Sequence, residues 1–501
     1  MFPNSAPPPA TPDAPEFSEI LVAQLKRAPW FVCSLLFHAL LFLVIATLVV
    51  PVVAPERGLD IRAAVTEKPV ESFEEIPLDV PEVAAPDDDV PEAVLDKIPV
   101  TDDADEADFD EAPADEAFAD SAFPNVLAGL PLIGPGGGGG GFIGDRVRRR
   151  GRGTGDPRGE RAVEWGLEWL AKHQSPDGSW DSDGFQAQCR TNVCDGKGHP
   201  LNDAGLTGLA LLAFLGAGYT HNFGRHRETV RNGLRYLANI QDPEGSFGSR
   251  TAPNFTYGHA ICTLAMTEAY GLTQFALFKG PAQKGLDFIS KCRNPYAAWR
   301  YGVQPGDNDS SVTGWMVMAL KSGESAGLQV NPDDYEGARD FIDSVTDEDG
   351  KVGYTQRGNG PVRLEGKQEE FPDRFSEALT AVGVASRVFL KEDPAKSEAI
   401  RKGADLLIAK LPAWEPPKLD FYYWYYGTLA MYQVGGKHFE QWNKAMQEAV
   451  IKTQATEGDE KGSWPAKDAW GEEGGRIYST ALLTMCLEVY YRYGRVFGAG
   501  R

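Results

Sequence analysis

The sequence predicts an all-α fold, an (α/α)6 toroid or barrel of six helical hairpins, preceded by one transmembrane helix and a disordered acidic linker. Three observations carry this reading. A degenerate helix–turn–helix unit recurs six times after residue ~160, an apolar run over 30–50 lacks any charged residue, and an acidic, proline-rich tract separates the two. Self-similarity at a fixed period is the signature of a stacked or closed array, because no single unit can bury its own apolar face.

Residues 1–29 are proline-rich and unpatterned, and are read as a short cytoplasmic segment. The run that follows would measure about 31 Å as a helix, enough to cross a bilayer, and a transmembrane helix is expected over 30–53. Lys26 and Arg27 abut it, whereas Arg57 and Arg62 lie farther off on the other side. That balance favours a cytoplasmic N-terminus and a single-pass protein whose bulk is extracytoplasmic. Inside the run, Ser34 and His38 are four residues apart and so share a helix face, and an ionisable group in a span is a functional candidate. With Lys26, Arg27, Pro29 and Trp30 at its entry, this segment resembles TonB-type energy transducers. The resemblance implies contact between Ser34, His38 and a proton-driven motor complex. In place of that family's alternation of proline with lysine, proline here alternates with acid.

Residues 54–123 hold 23 acids against four bases, so the tether accounts for 19 of the 23 net negative charges. Such composition cannot bury enough apolar surface to offset chain entropy and stays extended by self-repulsion. Six consecutive glycines (136–141) and a basic cluster at Arg146, Arg148, Arg149, Arg150 and Arg152 complete a linker over 54–159. No Gly-Lys-Ser/Thr follows the glycines, which excludes a P-loop. The basic cluster lacks interleaved aromatics and neighbours a strongly acidic tether, so no nucleic-acid partner is expected.

The toroid is expected over 160–501. Its clearest units are Gly166, Trp169, Leu170, Gln174, Gly178, Trp180 and, one repeat on, Gly233, Tyr236, Leu237, Gln241, Gly245, Phe247. Weaker copies begin at Gly285, Gly337 and Gly403, and a sixth ends in Gln454, Gly462, Ser463 and Trp464. Each striped helix is followed by a more uniformly apolar one, expected over 203–218, 257–270, 310–320, 375–389, 421–432 and 477–493. Striped helices form an outer layer, and helices apolar all round are buried. The Gln…Gly…Trp turns are expected to staple each outer helix to the next inner one, with Gln reaching backbone groups and Gly permitting φ > 0.

These turns resemble the QW motifs of the prenyltransferase/squalene-oxidase repeat superfamily, the terpenoid-cyclase-like α/α toroids, over about residues 160–495. The resemblance implies a central cavity. Squalene–hopene cyclases place an Asp-x-Asp-Asp motif at an inner-helix start. Here Asp307, Asn308, Asp309 and Ser310 are similar, with Asp309 at the position of the family's acid and Ser310 in place of the last Asp. Protein prenyltransferase zinc ligation would need an Asp two residues before a Cys, which no cysteine has.

Acids near the expected inner-helix starts, Asp203, Asp307, Asp309, Asp373 and Asp420, cap helices or ring a cavity mouth. Tyr257, Tyr422, Trp424 and Tyr425 are candidate wall residues, although consecutive aromatics point all around a helix. His259 is a candidate acid/base, weighed against a core or capping histidine. Cys189 and Cys194 share a loop; a local disulfide or two free thiols is preferred to a zinc site with His199, so no metal and no cofactor are assigned. The leading function is non-catalytic binding or scaffolding of a protein, glycan or isoprenoid ligand outside the cytoplasm. The enzymatic alternative is an isoprenoid cyclase using Asp309. A motor-coupled transducer through Ser34 and His38 is the third reading, and no paired-carboxylate motif singles out polysaccharide cleavage.

Overall fold

The computed structural model describes residues 157–492 together with His38 and Val496. Of the expected transmembrane helix, linker and Ser34/His38 pair, only His38, helical and exposed, and residues 157–159 are described; the remainder lies outside the described residues. Among the described residues no helix is long and apolar enough to cross a membrane.

Twelve helices and one terminal turn build the domain: α1 (Pro157–Lys172), α2 (Asp203–Gly216), α3 (Arg227–Asn239), α4 (Phe255–Thr273), α5 (Ala276–Cys292), α6 (Ser310–Ser325), α7 (Pro332–Val345), α8 (Ala378–Phe389), α9 (Glu398–Ile408), α10 (Phe421–Val434), α11 (Gly436–Ile451), α12 (Gly471–Leu487) and α13 (Val489–Arg492). Strands are absent among the described residues, where only isolated β-bridges occur. The even-numbered helices form a closed inner ring, α2–α4–α6–α8–α10–α12, and α12 returns to pack on α2. The odd-numbered helices form the outer layer, with α1 packing on α12 to seal the ring.

The two layers follow from the residue pattern. In α3 only Val230, Gly233, Leu234 and Leu237 are buried, a single stripe at helical spacing. In α6, by contrast, every residue from Ser310 to Gly323 is buried. Helix α8 begins at Ala378, three residues later than expected, because Asp373–Phe375 forms a separate 3-10 turn. Helix α1 begins earlier, at Pro157, where a missing N–H costs nothing.

The Gln turns differ from expectation in what they join. Gln174 Nε2 donates to Gly178 O at 2.9 Å and to Thr229 O of α3 at 2.9 Å. Gln241 does the same to Gly245 O (3.1 Å) and Pro281 O of α5 (2.9 Å). Gln454 donates to Gly462 O (2.8 Å) and to Ala162 O of α1 (2.7 Å), so the same bond closes the ring. Consecutive outer helices are therefore stapled to each other, because the turn leaves the side chain facing the neighbour's backbone. The aromatic residue performs the second task. Indole N–H groups of Trp180, Trp299 and Trp464 donate to the last-turn carbonyls of their own outer helices, Leu170, Ile289 and Val450, at 2.8, 2.8 and 2.9 Å. These are carbonyls that a helix end leaves without an internal partner. The link to the inner helix comes from the backbone: Trp180 N donates to Thr207 Oγ1 at 2.9 Å, and Trp464 N to Thr480 Oγ1 at 3.3 Å. Where the Gln is missing, between α5 and α7, a buried ion pair replaces it, Arg293 Nε to Asp334 Oδ1 at 2.7 Å.

At the far end of the ring, Arg492 is fully buried and pairs with Glu268 (2.9 Å) and Glu488 (3.8 Å). Its position past the end of α12 brings a cation to the carbonyl ends of the inner helices, where the helix dipoles favour one.

Gly462 has φ 94° and a Cβ there would sit 2.1 Å from Trp165 O, a backbone atom that cannot step aside. Gly436 has φ 55° but nothing within 4 Å of its Cβ site. Gly462→Ala is expected to lower unfolding stability by at least about 2 kcal/mol, and Gly436→Ala by about 1 kcal/mol, in urea denaturation followed by circular dichroism. Equal losses would show that the ring seam does not depend on this approach.

Candidate functional site

A cavity of about 490 Å³ lies at the N-terminal end of the inner ring. All six inner helices contribute, through Leu206, Tyr257, Ser311, Leu379, Tyr422 and Tyr478 among others. The wall is mostly apolar, with aromatic rings from Phe247, Phe255, Trp315 and Trp470 and from the loop residues Tyr301 and Tyr354. Inner helices must run in one direction for this to happen, since every hairpin returns along the outside; their starts then converge on one mouth.

Of the residues singled out in the sequence, Tyr257 and Tyr422 line the cavity. The Tyr422 hydroxyl is buried without a hydrogen-bond partner among the described residues, close to the hydroxyls of Tyr257 and, through it, Ser311. Tyr425 lies one layer back, stacked on Trp315 with ring centroids 5.5 Å apart and 12° between planes. Trp424 packs away from the cavity against Trp414 and Phe421, because a residue two positions from Tyr422 faces the opposite side of a helix.

The acids are not in the wall. Asp203 Oδ1 accepts from Ser182 N at 2.9 Å, tying the first turn to α2. Asp373 is exposed on its 3-10 turn, and the N-cap position of α8 belongs to Glu377. Asp420 caps α10 through Tyr423 N (3.0 Å) and accepts from Arg363 Nη2 (2.9 Å) and Ser376 Oγ (2.8 Å). Asp307 is exposed and paired with Arg300.

Asp309 differs from these. Its Oδ1 caps α6, accepting from Val312 N (2.8 Å) and Ser311 Oγ (2.9 Å). Its Oδ2 is buried and has no hydrogen-bond partner among the described residues, with Arg300 Nε 3.8 Å away. Burial pushes this carboxyl up to about 6, against the lowering effect of the cap bonds and Arg300. It stands directly behind the wall: Ser311 faces the cavity, and Tyr301 and Tyr354, joined OH to OH at 2.9 Å, feel its charge.

His259 is a structural acceptor. Phe247 N donates to its Nδ1 at 3.1 Å, and its Nε2–H donates to Gly285 O at 3.2 Å. It occupies the place that Thr207 and Thr480 hold in other repeats, and burial drives its pKa down to about 3, so it remains neutral.

Cys189 and Cys194 carry free thiols. His199 lines the cavity mouth, whereas the histidine beside the two sulfurs is His173.

Sequence reasoning missed Asp468. It is buried, with Oδ2 accepting from Phe421 N (2.9 Å) and from the Tyr478 hydroxyl (3.5 Å), while Oδ1 has no hydrogen-bond partner among the described residues. Burial pushes it up to about 8, and the Asp420 charge adds to the rise. Nothing local marks it, since it lies in an irregular loop before α12.

No family model matches the chain. Over 195 residues it is 27% identical to a squalene–hopene cyclase of Bradyrhizobium diazoefficiens, covering 35% of this chain and 27% of that one. The chain thus spans just over a quarter of the length of the curated relative it matches. Among solved structures, it is similar to a type II terpene cyclase from Scytonema (12% identity, TM-score 0.43, 66% of this chain and 97% of that one). It is also similar to an alpha-1,6-mannanase of Salegentibacter (12% identity, TM-score 0.44, 66% and 98%). These structural likenesses are too distant to speak of activity. The fold is a terpenoid-cyclase-like α/α toroid. The N-terminal resemblance to TonB-type transducers gains no support from these relatives.

Because the folded pKa of Asp468 lies above the ordinary carboxylate value of about 4, the native state binds the extra proton. The stability this supplies is complete below about pH 4 and is lost as pH rises through 8. Unfolding free energy of the wild type should therefore fall between pH 5 and 8 with a slope of up to about 1.4 kcal/mol per pH unit. In Asp468→Asn that slope should flatten. Parallel urea midpoints for the two proteins across this range would contradict the assignment.

Proposed function

We propose that the toroid is a binding module for an apolar, isoprenoid-class molecule, held in the central cavity and presented outside the cytoplasm by the N-terminal anchor. One observation carries the reading: a closed ring of helices surrounds an apolar cavity of about 490 Å³ walled by aromatic rings. That volume falls within the ~300–1,000 Å³ of small-molecule sites, and a few polar groups, the hydroxyls of Tyr257, Tyr422 and Ser311 together with Arg363 and Glu473, would fix one end of a ligand. Partial identity to a squalene–hopene cyclase supports the ligand class.

Catalysis by Asp309 is the second reading, favoured by its buried, unpartnered Oδ2. Its chemistry is the weaker case. Protonating an alkene needs a strong acid poised in its neutral form, whereas a carboxyl at about 6 beside Arg300 is mostly ionised at neutral pH. Ser310, at the place of the family's final Asp, is spent on Gly353 O (2.5 Å) and Tyr354 O (3.0 Å), so no second carboxyl shares the proton.

The test is binding of farnesol, geranylgeraniol and squalene to the detergent-extracted full chain, followed by native mass spectrometry and product analysis. One ligand per chain, recovered unchanged, is expected. Trp315→Ala should weaken it about 10–100-fold, the worth of ~1.4–3 kcal/mol of lost aromatic contact, and Leu209→Trp, which fills the cavity, should abolish it in a chain that still melts cooperatively. A cyclised product formed by the wild type and not by Asp309→Asn would replace the binding reading with the catalytic one. Absence of any ligand in a folded wild type would end both.

A further inference from the structure

Three side chains that are not part of the cavity lining meet where α1 ends. His173 follows the last residue of α1, and its Nδ1–H donates to Trp169 O at 2.8 Å. That bond fixes the tautomer and leaves the Nε2 lone pair pointing away from the helix. Cys189 Sγ and Cys194 Sγ each lie 3.6 Å from Nε2, and the three atoms all fall within 4.8 Å of one another. A neutral imidazole has one acceptor lone pair, so it can take a proton from one thiol only. Two sulfurs equidistant from it converge on a shared point rather than on a hydrogen bond.

The geometry points to a transition-metal site, and we propose that His173, Cys189 and Cys194 bind one zinc ion, with water in the fourth tetrahedral position. With Zn–S about 2.3 Å and Zn–N about 2.0–2.1 Å, tetrahedral angles place sulfur and nitrogen about 3.5–3.6 Å apart and the two sulfurs about 3.8 Å apart. The two observed sulfur-to-nitrogen distances of 3.6 Å match this spacing, and the sulfurs lie within 4.8 Å of each other. Soft thiolates with imidazole select zinc over magnesium or calcium. Binding converts two thiols to thiolates and releases two protons per ion.

The surroundings are those of a ligated site. The bond from Nδ1 to a backbone carbonyl is the outer-shell partner that metal-bound histidines carry. Cys194 N donates to Cys189 Sγ at 3.4 Å, which holds the two cysteines of the loop side by side. Trp169 stacks on the imidazole at 4.1 Å, and Phe185 edges against both rings. His173 and Cys194 are buried, while Cys189 is half-buried.

The loop carrying the cysteines is also clasped by the last repeat. Asp459 Oδ2 accepts from the amides of Arg190 and Asn192 at 2.8 Å each, and Asp459 O accepts from Trp169 Nε1 at 2.9 Å. Arg476 of α12 donates to Asp195 O at 2.9 Å. The ion would therefore lock a loop that spans the seam between the first repeat and the last, and its loss should loosen ring closure.

The reduced full-length chain, loaded with zinc and dialysed, should retain one equivalent by elemental analysis. Replacement with cobalt should give sulfur-to-cobalt charge-transfer absorption and the visible bands of a tetrahedral ion. Cys189→Ser, Cys194→Ser and His173→Ala should each weaken binding at least about tenfold, whereas Cys292→Ser, at a buried thiol elsewhere, should not. The wild-type cobalt spectrum needs no variant to fold. A wild-type chain with both thiols open to alkylation but no cobalt–thiolate absorption would overturn the proposal. So would an intact mass showing that Cys189 and Cys194 are joined as a disulfide in the protein as extracted from cells.

Discussion

The architecture rests on a bond between a glutamine amide and the backbone of the next outer helix. Gln174, Gln241 and Gln454 each hold their own glycine turn with one donor hydrogen and the neighbour's carbonyl with the other. A side-chain amide has two donors in fixed geometry, so satisfying both sets the distance and angle between successive repeats. Three junctions share this bond, an ion pair takes its place between α5 and α7, and the bond from Gln454 to Ala162 joins the ends of the ring. Packing of the apolar inner helices supplies most of the stabilisation, but packing is non-directional and would tolerate an open superhelix as readily. The staple makes closure the outcome.

Closure determines what the cavity can be. Six inner helices with common direction bring their first turns together, and each first turn presents free N–H groups. The chain satisfies these at α6 and α10 with Asp309 and Asp420, whose carboxylates turn toward the backbone or toward Arg363 and away from the central space. The wall is left mainly to aromatic rings, aliphatic side chains and hydroxyls, with Arg363 and Glu473 the charged groups among its lining. Of the five acids near the inner-helix starts, Asp309 and Asp420 cap helices, Asp203 holds a turn, Asp307 and Asp373 are exposed, and none lines the cavity. Asp309 stands apart, since one oxygen caps while the other stays buried without a donor among the described residues.

The same seam that closes the ring concentrates the unusual chemistry. His173 ends the first outer helix, the two cysteines sit in the loop that follows, and Asp459, Glu460 and Arg476 reach across from the sixth repeat. In a closed array the first and last units meet without the covalent continuity that joins the others. Extra polar and charged bonds at that junction replace what the chain connection supplies elsewhere. At the opposite end Arg492, with Glu268 and Glu488, serves the inner ring in a comparable way.

Much of this was legible in the sequence, for a local reason. Gln, Gly and Trp act within one turn and its two flanking helices, so their spacing is written into a short stretch, and the alternation of striped with uniformly apolar helices follows from which face meets water. The order of striped and apolar helices, the six-fold repeat and the wall residues Tyr257 and Tyr422 belong to this class, whereas helix ends shifted by up to six residues, as at α12, expected from 477 and beginning at Gly471. What joined what was not legible: Gln staples outer helix to outer helix, and His259 substitutes for a threonine acceptor. Nor was the pairing of His173 with Cys189 and Cys194 visible, because His199 is nearer to Cys194 in sequence while the fold carries it to the cavity mouth. Asp468 looks like any loop acid until Tyr478 and Phe421 close over it. Local bonding needs only neighbours in the chain, whereas burial, ligand geometry and the choice between cap and cavity depend on which distant segments arrive at the same place.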